Sequence, residues 1–110
     1  MRDVNSFVIK NGTLVKNDQH RHFHQSIKDN ILKVQIMIPG IDPNTLHIYL
    51  LNNTIRIETH ILTDFQPIYG GQKIYLRGTP LVEIEDKSLS VEYNSGVLVL
   101  ELIIKKSNRI

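Results

Sequence analysis

The stretch Ile31-Leu32-Lys33-Val34-Gln35-Ile36-Met37-Ile38-Pro39-Gly40 decides the fold class of this chain. Leu32, Val34, Ile36 and Ile38 alternate with Lys33, Gln35 and Met37, which is the period of a strand with one buried face. Pro39-Gly40 ends it, because proline removes a ladder donor and glycine permits a sharp exit. Asp42-Pro43-Asn44-Thr45 then reads as a turn with proline in its pre-set position. Residues 46–50 and 54–58 alternate on either side of Asn52-Asn53 and predict a hairpin. Upstream, residues 6–10 and 13–16 flank Asn11-Gly12, a pair that tolerates positive φ and predicts another hairpin. Lys28-Asp29-Asn30 reads as a turn.

Downstream the grammar continues. Residues 60–72 lose the periodicity and, with Pro67 and Gly70-Gly71, read as a long loop. Residues 73–76 form a short strand, Val82 and Ile84 begin another, and Leu89, Val91 and Tyr93 alternate with Ser90 and Glu92. Asn94-Ser95-Gly96 turns, and residues 97–104 read as an almost continuous apolar strand buried on both sides. Short strands with closely spaced turn signals predict an all-β, immunoglobulin-like β-sandwich. The chain of 110 residues suffices for one such domain, read as an N-terminal arm (1–18), a sandwich (19–106) and a short tail (107–110).

Composition agrees and narrows the function classes. Alanine, the best helix former, is absent, while β-branched residues abound. The chain has no cysteine, which excludes a disulfide framework, thiolate metal sites and a thiol nucleophile. The net charge of +2 is scattered rather than clustered, so no nucleic-acid partner is expected. No apolar run approaches a membrane span and residues 1–16 lack a signal-peptide pattern, so a soluble cytoplasmic protein without a membrane partner is expected.

The ordered set Ile38-Pro39-Gly40-Ile41, a turn, a hairpin, a loop and Ser95-Gly96-Val97-Leu98-Val99-Leu100 followed by lysines resembles the small heat-shock protein family and its α-crystallin domain. Pro39-Gly40 and Gly96-Val97-Leu98 match the family's hallmark phrases, with Ser95 where Asn or Asp is usual. The resemblance covers about residues 19–106. It implies an ATP-independent holdase that binds non-native client proteins and suppresses their aggregation, with no cofactor and no enzymatic activity. A rival implied by the same sandwich is a structural or adaptor protein, such as a spore-coat or co-chaperone component, that binds one partner.

Candidate sites follow from the resemblance. The family's client groove lies between its fourth and eighth strands, here residues 46–50 and 89–93, and alternation nominates Ile48, Leu50, Leu89 and Val91. The same alternation also suits plain sandwich core. A dimer is expected because exposed strand edges need cover. In bacterial and plant relatives an extra strand in the loop crosses to the partner, which nominates Phe65, Ile68 and Tyr69 here. The alternative is pairing through Ile74 and Leu76, with Arg77 matched to the arginine that pairs across the interface. The chain shows neither the family's Ile-X-Ile/Val tail nor a long apolar arm, so a homodimer or small oligomer is expected.

His20, His22 and His24 would project from one face of a strand, a geometry suited to zinc or copper(II), yet no cysteine completes a site. The competing reading is a solvated polar face whose protonation below neutral pH makes an interface pH-sensitive. No metal is assigned. Gly70-Gly71 lacks the lysine and helix of a phosphate loop, and no nucleophile elbow is present.

Overall fold

The computed structural model describes residues 7–10, 13–17 and 23–106, with side chains described from 23 to 86 and from 90 to 106. Asn11-Gly12, His20, His22 and residues 107–110 lie outside the described residues.

Strands β1 (Phe7–Lys10), β2 (Thr13–Asn17), β3 (Phe23–Lys28), β4 (Ile31–Met37), β5 (His47–Leu51), β6 (Thr54–His60), β7 (Lys73–Gly78), β8 (Ile84–Asn94) and β9 (Val97–Ile104) form two sheets. One has the order β1-β2-β7-β6-β5 and the other β3-β4-β9-β8. Every pairing is antiparallel except β2 on β7, which runs parallel from Val15↔Lys73 to Asn17↔Tyr75. The Asn52-Asn53 and Ser95-Gly96 turns hold positive φ at both residues (52° and 54°, 51° and 82°), the geometry that matches strand twist in a two-residue hairpin.

Alternation builds the core. Leu32, Val34 and Ile36 of β4 and Leu98, Leu100 and Leu102 of β9 face Ile55, Ile57, Ile74 and Leu76 of the other sheet, all fully buried. Strand β9 corrects the sequence reading: it is buried on one face only. Val97 and Val99 are half-buried, Glu101 is exposed and Ile103 is 38% exposed, because nothing among the described residues covers the outer face of its sheet.

Pro39-Gly40 and Ser95-Gly96, far apart in sequence, meet in space. The Ile38 amide donates to the Gly96 carbonyl at 2.8 Å. A side chain at Gly96 would bring its Cβ to 3.0 Å from that of Pro39. Gly40, at φ 83°, leaves room for the ring of Phe65, which lies where its Cβ would stand.

That contact explains the second correction. Residues 61–72 do not form an extra strand; they hold a 3-10 turn η1 (Thr63–Phe65) and a one-turn helix α1 (Gln66–Tyr69). Pro67 sits in the first turn of α1, where no amide bond is lost, and Gly70 at φ 79° ends it by donating to the Gln66 carbonyl at 2.7 Å. The segment is stitched to its own sandwich: Leu62 N–H donates to Gly40 O at 2.8 Å and Tyr69 Oη donates to Pro39 O. No helix among the described residues is long and apolar enough to cross a membrane.

Candidate functional site

The two sheets end in β5 and β8, whose outer edges have no strand partner among the described residues. One corner ties these edges together. Asn53, in the β5–β6 turn, accepts from the Ile84 amide at 3.1 Å and donates to the Val82 carbonyl at 3.4 Å. Its amide therefore satisfies both polarities of the chain entering β8.

Apolar side chains lie along both of these edges. Ile48 of β5 pairs with Ile57 of β6, and Leu50 pairs with Ile55. Cross-strand partners share a face. Ile55 and Ile57 are buried, so Ile48 and Leu50 also turn inward, and both remain only half-buried at the sheet margin. Across the gap, Val91 pairs with the fully buried Leu100 yet is 42% exposed. Val91 thus faces the inter-sheet side and still meets solvent. Tyr93, two residues on, closes that end by donating its hydroxyl to Ile38 O at 2.9 Å. Leu89 pairs in backbone register with Leu102, and its side chain lies outside the described ones.

An arrangement of two unpaired edges over inward-turned aliphatic side chains can accept an extended apolar segment. The backbone edges offer hydrogen bonds and the inward-turned side chains offer apolar contacts to alternate residues.

The proposed interface residues are dispersed. Ile74 and Leu76 are fully buried between the sheets, and β2 occupies the β7 edge at Lys73–Tyr75. Tyr69 is buried and Phe65 half-buried on their own sandwich, because the turn of α1 and the gap at Gly40 draw both rings inward. Ile68, 77% exposed, and Arg77 reach the surface. His24 is exposed on β3 opposite Gln35, and no cluster of three metal-ligating side chains occurs among the described residues. Sequence reasoning passed over Arg56. The signal was present in Ile55-Arg56-Ile57, where two core isoleucines push the residue between them onto the outer face.

No protein-family model matches the sequence, and no curated protein matches it. Solved structures match in fold. Heat shock protein 16.0 from Schizosaccharomyces pombe superposes with a TM-score of 0.65 at 9% identity, over 79% of this chain and 68% of that one. HSP18.5 from E. histolytica gives 0.66 at 16% identity, over 82% and 93%. A small heat-shock protein from Xylella fastidiosa, described as having a distinct high order structure, gives 0.64 at 12%, over 82% and 90%. With its two sheets, its Pro39-Gly40 exit and its Ser95-Gly96 turn in place, this chain has the β-sandwich fold of the α-crystallin domain of small heat-shock proteins.

Proposed function

We propose that this chain is an ATP-independent holdase of the small heat-shock type, acting in the cytoplasm as a homodimer or small oligomer. It binds non-native proteins in the β5–β8 groove, through Ile48, Leu50, Leu89 and Val91, and keeps them from aggregating. The observation that carries this reading is Val91, turned toward the inter-sheet side yet 42% exposed beside an unpaired edge. Exposed apolar surface next to a free edge is an aggregation hazard unless it has an occupant. Each apolar anchor of a client buried there contributes roughly 1.5–3 kcal/mol.

The mechanism is mass action on non-native chains, without bond making or nucleotide turnover. Protection therefore scales with the chaperone-to-client ratio. The test is light scattering of a heat-stressed model client with the protein titrated in and ATP omitted. Val91→Glu runs beside it, because that exposed position accepts a charge without opening the core, and Ile48→Glu tests the opposite wall. Suppression near stoichiometric ratios, weakened in both folded variants, is the expected result. No suppression at large excess refutes the holdase reading and leaves the single-partner adaptor as its replacement. Full suppression by both variants refutes the groove.

A further inference from the structure

Register gathers two arginines that are distant in sequence onto the outer face of the β5–β6–β7 sheet. Ile55 and Ile57 are in the core, so Arg56 and Glu58 project outward. Arg56 stands directly across from Arg77 on one side and from Tyr49 on the other, while Glu58 stands across from Tyr75. Like charges directly opposed across an antiparallel pair destabilise it. Neither arginine has a carboxylate partner among the described residues, and Glu58 is paired instead with Lys73 Nζ at 3.5 Å. The Nε of half-buried Arg56 is shut off from solvent and has no acceptor, which carries a cost of its own.

The same residues enclose space. Tyr49, Leu51, Arg56, Glu58 and Tyr75 line a cleft of about 370 Å³, a size that small-molecule sites share. Tyr49 is 49% exposed and stacks on His47, with ring centroids 6.4 Å apart and planes 15° from parallel, which steadies its ring at the cleft wall. Leu51, 52% exposed, adds an aliphatic wall. The cleft thus combines a guanidinium, two tyrosines and one carboxylate able to accept hydrogen bonds, with the exposed Arg77 beside it.

We propose that this cleft binds a small phosphomonoester that carries an aromatic ring and hydroxyl groups, the chemistry of a nucleoside monophosphate. A phosphate group carries a charge of about −1.5 to −2 at neutral pH, which matches two guanidiniums where a carboxylate matches one. Its terminal oxygens accept charge-assisted hydrogen bonds from Arg56 and Arg77 together, and the repulsion between the two becomes a joint attraction. Drawn toward such an anion, the Arg56 guanidinium leaves a position in which its Nε has no acceptor. The cleft is larger than a phosphate group, and its tyrosines offer faces on which a flat ring stacks. Glu58 accepts from the ligand's hydroxyl groups while it keeps Lys73. No bond is made or broken, so the proposal stands independently of the holdase reading.

The test is titration of the full chain with adenosine monophosphate, adenosine and inorganic phosphate, followed by calorimetry and NMR shifts, with circular dichroism confirming each variant's fold. The monophosphate is expected to bind at least about fivefold more tightly than adenosine, which lacks the charge, or inorganic phosphate, which lacks the ring. Arg56→Gln and Arg77→Gln each weaken it at least about tenfold, and Tyr49→Leu at least about fivefold. Lys33→Gln, which removes the same charge from the outer face of the other sheet, leaves binding unchanged. Affinity also falls as salt rises from about 50 to about 500 mM, because exposed charges are screened. No saturable binding at millimolar monophosphate, equal affinity for inorganic phosphate, or binding indifferent to both arginine substitutions each overturns the proposal. A phosphorylated single-stranded oligonucleotide that binds more than about tenfold tighter than the monophosphate also overturns it, and assigns the face to a nucleic-acid strand. If Arg56→Gln does not fold, the exposed Arg77→Gln decides the matter, and an affinity equal to the parent's overturns the proposal.

Discussion

Gly40→Ala puts the packing of the 61–72 segment to a quantitative test. Gly40 has φ 83°, where a side chain costs about 1–2 kcal/mol on backbone grounds alone. Its new Cβ would also collide with the ring of Phe65, and overpacking of that kind costs about 1–3 kcal/mol. Together the two effects lower stability by about 2–5 kcal/mol. Phe65→Ala removes the obstruction and destabilises by itself, through lost burial of a half-buried ring. In the double variant the methyl group occupies part of the vacated space, so the clash with the ring is relieved, while the backbone part and a 2.8 Å approach to the Cβ retained at position 65 remain. Urea titrations of the four proteins give the cycle. The expected coupling is about 1–3 kcal/mol in favour of the double variant. Strict additivity, or a Gly40→Ala midpoint equal to the parent's, would refute the account of Phe65 as a plug in its own sandwich.

Two smaller perturbations probe the hydrogen bonds that Asn53 and Tyr93 make beside β5 and β8. Asn53→Gly keeps the positive φ of 54° but removes the bonds to Ile84 and Val82, and should cost about 1–2 kcal/mol by urea titration; an unchanged midpoint would mean the clamp is idle. Tyr93→Phe removes the bond to Ile38 O with little change of shape, and should cost about 0.5–1.5 kcal/mol in thermal or urea unfolding, a loss that an equal midpoint would disprove.

Much of the sandwich was legible because its signals are local. Alternation over residues 31–38 marked the buried face of β4 residue by residue, and Asn52-Asn53 and Ser95-Gly96 announced turns whose positive φ the structure shows. The failures have physical causes. In 97–104 the apolar residues on both faces suggested double burial, but periodicity reports what a face is made of and not what covers it. Pro67 reads equally as a breaker and as the first-turn proline of a helix, and only the space above Gly40 decides between them. Ile74 and Leu76 were nominated for an interface although their alternation with Tyr75 marks core equally well. For the candidate site, alternation indicates that Ile48, Leu50 and Val91 share a face with the core, while their partial exposure depends on β5 and β8 ending their sheets. The Arg56–Arg77 row depends on register between strands about twenty residues apart, which a single sequence does not display.

The position of β9 has a consequence for synthesis. It lies between β4 and β8 in its sheet, yet the ribosome makes it last of the nine strands described. Its pairs with β4 join residues from 60 (Met37↔Val97) to 72 (Ile31↔Ile103) positions apart. The β5-β6-β7 meander is complete once Gly78 has emerged, whereas the β3–β4 hairpin must wait with the other edge of β4 unpaired until residues 97–104 arrive. Closing so long a loop is slow, and unpaired strands are prone to aggregate in the interval. The nascent chain therefore passes through a stage in which it exposes an unpaired edge, and if the chain is the holdase proposed above, copies already folded are suited to cover it.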